Sequence, residues 1–235
     1  MPRIPLIEDL TTGPVPPGSN ILVVFDPASD WYNASLTIAA EWLRTGGRVH
    51  YNVCVQPAAN VRSQLNQRGL KVEELERQDT LRIYDWYSLM LGRKSSEPYA
   101  PSSLKLSELS PTYSSWMKAD ELGETANTLR VIDNASSTAR FNDEKIWVEF
   151  ILTRQFPRGP IWKATLIDPI VRGLHSEWVY RALEAGADGI IDLKLEESGE
   201  EIQNLIRIRN MRNVGFDRKW HSLKTGENFE VILEK

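Results

Sequence analysis

NILVVFDPASDWYNASLTIAAEWLRTGG, residues 20–47, decides the fold. Residues 21–25 are all apolar, with Pro16-Pro17-Gly18 before them and Asp26-Pro27 after. Such a run reads as a strand buried on both faces. A helical pattern follows over about residues 34–44, and Gly46-Gly47 supplies its stop. In α/β chains this first strand–turn–helix unit commonly binds phosphate, through helix N-terminal amides and a glycine-rich loop. A working loop reads G-x-x-x-x-G-K-[ST]: glycines let the backbone wrap the phosphates and the lysine neutralises them. The turn here, Asp26-Pro27-Ala28-Ser29-Asp30-Trp31-Tyr32-Asn33-Ala34-Ser35, has neither, and the first lysine of the chain is Lys71. Asp26 and Asp30 add negative charge, Pro27 removes an amide donor, and Trp31 with Tyr32 add bulk. The two aromatics either shape a new ligand pocket or pack the gap left by lost ligand chemistry; the second is the expectation.

Outward from this unit, apolar runs and helical patterns keep alternating, which implies a mostly parallel sheet with helices on its faces. Strands are expected at 48–55, 81–84, 129–133 and 162–167, and helices at 61–68 (capped by Asn60), 142–154 and 177–185 (capped by Ser176). In the 142–154 helix, Ile146 and Phe150 should lie on the buried stripe. Segments 189–195, 203–211 and 229–233 read as strands joined by short polar turns, an antiparallel close to the sheet. Residues 1–235 are read as one domain, interrupted by an irregular excursion at about 92–128. That stretch is rich in serine, proline and charge but carries Tyr99, Tyr113, Trp116 and Met117. It is expected to pack partly on the body, with a flexible part near 94–103.

The formal net charge of -4 gives no general attraction to nucleic acid or anionic membrane. A single cysteine, Cys54 among apolar neighbours, excludes an internal disulfide framework and reads as a core residue. The start mixes charge with proline, and no apolar run approaches the roughly 20 residues that span a bilayer. The expected location is the cytoplasm.

Several phrases, in order, resemble the KaiC branch of the RecA-type ATPases, including its single-domain archaeal relatives. They are Ile4-Pro5 with Gly13-Pro14-Val15-Pro16-Pro17-Gly18-Ser19-Asn20-Ile21-Leu22-Val23 before and into the first strand, and Gly47-Arg48-Val49-His50-Tyr51 at the second. Leu75-Glu76 and Leu81-Arg82-Ile83-Tyr84-Asp85 follow, then Arg130-Val131-Ile132-Asp133-Asn134-Ala135-Ser136, similar to a Walker B strand. Ala187-Asp188-Gly189-Ile190-Ile191 and Arg207-Ile208-Arg209-Asn210-Met211-Arg212 complete the likeness. It implies a RecA-like α/β fold, a mostly parallel central sheet with flanking helices and antiparallel C-terminal strands, in which Asp133 would hold magnesium and its water. The departures are specific. The Walker A lysine and glycines are missing. Val55 and Gln56 stand where the family carries two water-activating glutamates, and neither is a useful base. Asn210-Met211-Arg212 replaces a Lys-Met-Arg whose cations reach a neighbouring subunit's phosphates.

The resemblance with these departures implies a catalytically inactive pseudo-ATPase acting as a binding, scaffold or regulatory protein, with no cofactor. The alternative is a divergent ATPase that still takes ATP and magnesium. Candidate ligand-site residues are Asp26, Asn33, Ser35, Asp133, Asp168 and Arg212, with Asp133 a metal ligand only if a nucleotide–magnesium complex still binds. Asp168-Pro169 reads first as a strand stop and turn. His50, His175 and His221 are scattered without metal-ligand spacing, and no G-x-S-x-G elbow exists. A protein partner or self-association is expected. The basic stretch Arg207, Arg209, Arg212, Arg218 and Lys219 keeps nucleic acid as a weaker option beside a charge-protected edge strand.

Overall fold

The structure, a computed structural model, describes residues 2–109, 127–198 and 201–234. Its N-terminal part runs β1 (Asn20–Phe25), α1 (Trp31–Arg44), β2 (Arg48–Val53), α2 (Ala58–Gln67), α3 (Val72–Arg77), β3 (Leu81–Asp85) and α4 (Tyr87–Met90). Then come β4 (Thr128–Ile132), α5 (Ser136–Ala139), α6 (Glu144–Phe150), a π turn Ile151–Gln155, and α7 (Arg158–Trp162). The chain closes with β5 (Thr165–Val171), α8 (Glu177–Gly186), β6 (Gly189–Ser198), β7 (Glu201–Met211), β8 (His221–Thr225) and β9 (Val231–Leu233).

The strands form one sheet in the order β3-β2-β4-β5-β1-β6-β7-β8-β9. All pairs from β3 to β6 are parallel, and β6 to β9 are antiparallel. All six residues of β1 are buried, because helices cover both faces of the sheet there. Alternation sorts them: Ile21, Val23 and Phe25 pack with α1 and α2, whereas Leu22 and Val24 pack with residues of α6 and α8. The carboxyl ends of β1, β2, β4 and β5 therefore share one edge, where ligands of open α/β sheets bind.

Several expected boundaries shift for physical reasons. α1 starts at Trp31 because the indole is a core group, 3% exposed, and not part of the loop. α2 begins at Ala58, so Asn60 lies inside the helix and caps nothing. The strand expected at 162–167 lies at Thr165–Val171 and passes through Pro169, so Asp168-Pro169 is not a strand stop. The last β4–β5 pair is Val131↔Ile167, so the missing N–H of Pro169 falls just past that ladder, and its carbonyl accepts from Ala135 N–H. In α6 the buried stripe is Trp147, Val148 and Ile151, while Ile146 is 49% exposed, a one-residue error of phase. β8 was not anticipated, and the strand expected from Phe229 begins at Val231.

Within the excursion, residues 92–109 are held on the body. Tyr99 bridges Tyr84 beside the edge strand β3, and Glu97 pairs with Arg62 of α2. The part expected to be flexible is thus tied by an ion pair and a backbone bridge that its polar composition concealed. Tyr113, Trp116 and Met117 lie outside the described residues. Cys54 is buried as read, and burial pushes its thiol well up from the ordinary range.

Candidate functional site

The turn after β1 engages its own donors. Asp26 N–H donates to Leu193 O (3.1 Å), Ser29 N–H to Asp26 O (2.9 Å) and Asp30 N–H to the Asn204 side chain (2.8 Å). Pro27 has no N–H to offer. Asp26 accepts from Arg172 Nε (2.8 Å), and Asp30 accepts from Asn33 Nδ2 (2.8 Å) and the Thr225 hydroxyl. Three of the turn's amides are thus directed onto β6, β7 and the turn itself.

Trp31 occupies the space beside them. Its ring lies 6.1 Å from that of Phe25, and its Nε1–H donates to Asp133 O (3.0 Å). Asp133, 2% exposed, is directed at the end of β2: Oδ1 accepts from Cys54 N–H (2.9 Å) and Oδ2 more weakly from Val55 N–H (3.4 Å). Its carboxylate is therefore the anchor of the very loop in which a water-activating glutamate would stand. Val55 is 48% exposed, and the buried Gln56 Nε2 makes no hydrogen bond with the described residues. Ser35 donates to Tyr32 O or pairs with Tyr51 Oη (2.8 Å), fully buried under α1. This donor set does not suit a phosphate–magnesium complex. Three turn amides are taken, the cation beside the turn, Arg172, is held by Asp26 and Asp192, and Asp133 has amide partners on both oxygens.

Burial pushes the Asp133 carboxyl up to about 7, against the opposing pull of the backbone amides of Cys54, Val55 and Asn134. The pH consequence has a definite sign. From the unfolded value near 4 up to about 7, the folded state holds a proton that the unfolded chain has released. This group's contribution to stability therefore falls as pH rises through that window and is constant above it. Asp133→Asn is expected to remove that slope, read as the urea midpoint between pH 5 and pH 8; an unchanged slope would contradict the assignment.

The six candidates do not form one site. Asp26, Asn33, Ser35 and Asp133 gather at the carboxyl edge. Asp168 pairs in register with Leu22, so it points to the opposite sheet face. There Oδ1 accepts from Gln155 Nε2, Oδ2 has no partner among the described residues, and burial pushes the carboxyl up to about 6 against the pull of Arg130. Arg212 follows antiparallel β7 and so lies at the other edge of the sheet, paired with Asp188 (3.4 Å).

Two clusters escaped the sequence reading. Asp192, 1% exposed in β6, meets Arg172 (3.2 Å), Arg207 (2.9 Å) and Arg209 (3.1 Å). A register shift at Ile190/Ile191 leaves Arg209 between paired positions, letting both arginines of β7 reach one acid. The basic stretch thus faces inward in part, and an acid inside the apolar run 189–195 was the available signal. The second cluster is Ser136, His175 and Glu144. His175 Nε2 lies 2.7 Å from Ser136 Oγ and its Nδ1 3.5 Å from Glu144, with the ring stacked on Trp147 at 4.9 Å. These are the contacts of a nucleophilic triad, but Ser136 is 1% exposed and its Oγ also accepts from Val171 N–H. The cluster ties the loop after β5 to α5 and α6. It also takes the expected cap away, since Ser176 Oγ donates to Glu144 and accepts from no N–H of its own helix.

Among the described residues, no three of His, Cys, Asp and Glu come together as candidate metal ligands, and no helix is long and apolar enough to cross a membrane. No protein-family model matches the chain, and no curated protein does. Among solved structures it is similar to a KaiC-like protein from the hyperthermophilic archaeon Pyrococcus horikoshii OT3, with a TM-score of 0.74 and 19% identity. The match covers 100% of this chain and 97% of that one. The fold is therefore the KaiC-like, RecA-type arrangement.

Proposed function

We propose that this chain is a catalytically inactive member of the KaiC/RecA fold class that works by binding, as a scaffold or regulatory protein in the cytoplasm. One observation carries the reading: the Trp31 indole, the amides of Asp26, Ser29 and Asp30, and the Asp133 carboxylate are engaged with one another or with neighbouring strands where a nucleotide would need them free. Removing even one well-placed electrostatic contact from a catalytic site typically costs about 3–4 kcal/mol of transition-state stabilisation. Here the phosphate lysine, the glycines and both water-activating acids are replaced together. The groups that remain serve packing: Asp133 anchors the loop after β2, and Ser35 joins α1 to Tyr51.

The expected result in an assay of released phosphate with ATP and magnesium is no turnover above the Asp133→Ala control. Turnover that this substitution abolishes would replace the reading with the divergent ATPase. Partner identity and self-association are separate questions, answered by size measurement with and without nucleotide; an assembly state indifferent to ATP is expected.

A further inference from the structure

α2 presents two stripes. Ala58, Val61 and Leu65 enter the core, while Asn60, Ser63, Gln64 and Gln67 line a cleft of about 470 Å³. The spacing i, i+3, i+4, i+7 puts those four on one face. The opposite wall is Tyr32 and Asn33 from the first turn of α1, and Phe229 closes one end. No described lining residue carries a formal charge, although charged residues make up 26% of the chain. The Tyr32 hydroxyl is shut from solvent and faces Gln64, with no close hydrogen bond among the described residues.

Phe229 is the second, independent observation. It ends a three-residue turn, 227–229, inside the five-residue connection between β8 and β9, with Gly226 N–H donating to Glu230 O and Phe229 N–H to Gly226 O. The last loop residue of such a hairpin adopts the left-handed conformation that glycine takes without strain. Here a phenylalanine sits there at φ 58°, and the residue is 54% exposed. The backbone is pinned from behind: buried Arg68 donates Nη2–H to Phe229 O (2.6 Å) and also reaches Asn33 Oδ1 (3.3 Å). A strained backbone that holds a large ring in water at a cleft mouth points to a contact made by that ring.

We propose that this cleft binds an extended, uncharged peptide segment of a partner protein. Side-chain amides carry both a donor and an acceptor, matching the alternating N–H and C=O groups of a peptide backbone. From Asn60 to Gln67 the helix rises about 10 Å, the length of roughly three extended residues. Without a cation, the cleft does not select phosphates or acidic peptides, and without a carboxylate it does not select basic peptides. Phe229 and Tyr32 supply the apolar flanks. The inference deepens the binding reading above by naming the class of partner.

The test is an array of nine-residue peptides, uncharged, acidic and basic, probed with the purified full chain and followed by fluorescence polarisation of the best binders. Uncharged peptides are expected to bind with an affinity that changes less than about twofold between 50 and 500 mM salt. Gln64→Ala should weaken them about fivefold and Phe229→Gly about tenfold. Phe229→Gly should also leave the melting temperature unchanged or raise it by about 2 °C, because glycine relieves the strained position. No binding, binding confined to charged peptides, affinity unmoved by both substitutions, or competition by a neutral trisaccharide would each overturn the proposal. A parallel ATP titration keeps the two readings apart: ATP binding defeats the inactive-fold reading alone, and peptide silence without ATP binding defeats the cleft alone.

Discussion

Trp31→Ala is expected to destabilise the protein by about 3–5 kcal/mol, the range for truncating a buried tryptophan. At this chain length that lowers the melting temperature by roughly 10 °C. The indole is 3% exposed, packs on Phe25 and donates to the Asp133 carbonyl. Its removal leaves a cavity and takes the donor from a buried acceptor together. The same substitution is expected not to create nucleotide binding, since the turn still lacks glycine and lysine and keeps the charges of Asp26 and Asp30. Were Trp31 a lid over a working site, truncation would leave stability nearly untouched and increase nucleotide uptake. Calorimetric melting with and without ATP distinguishes the two.

Asp192→Ala is the second large effect, expected at about 3 kcal/mol. Breaking a buried pair generally costs about 3–5 kcal/mol because a charge is left uncompensated. Here the acid is buried, but Arg172, Arg207 and Arg209 are each about a third or more exposed and regain water, which places the cost at the low end. Three like charges nevertheless remain within reach of one another across β5, β6 and β7. Adding Arg209→Leu to Asp192→Ala should therefore recover part of the loss. A urea-denaturation difference under about 0.5 kcal/mol for the single substitution would mean that these arginines are merely solvated surface.

The central architecture was legible because its signals are strong and local. The run Ile21 to Phe25 admits only a doubly buried strand, and the polar turns near the C-terminus forecast the antiparallel end. β8 was missed because only Leu223 of its five residues is buried, which leaves almost no periodicity to read. The phase error in α6 arose because either Ile146 or Trp147 could head the stripe, and tertiary packing chose Trp147 by giving its Nε1–H to Thr138 Oγ1. At the β1 turn the missing glycines and lysine were legible from composition alone. Asp168 and Arg212 were not separable from it by sequence. Their face and edge depend on strand register and direction, fixed by pairs such as Leu22↔Asp168 and Gly189↔Met211. Ser136, His175 and Glu144 were equally hidden, because 39 and 31 residues of chain separate contacts that only the order of β4 and β5 in the sheet brings together.

The most direct measurement is isothermal calorimetry of ATP with magnesium into the purified full chain, paired with a melting curve at 1 mM nucleotide. No saturable heat and no change in melting temperature are expected, because the β1 turn has no glycine or lysine to cradle a phosphate and carries the negative charges of Asp26 and Asp30. A magnesium-dependent dissociation constant near 10 μM would contradict this. At 1 mM ligand it would stabilise the native state by about 2.7 kcal/mol, a shift that could not be missed.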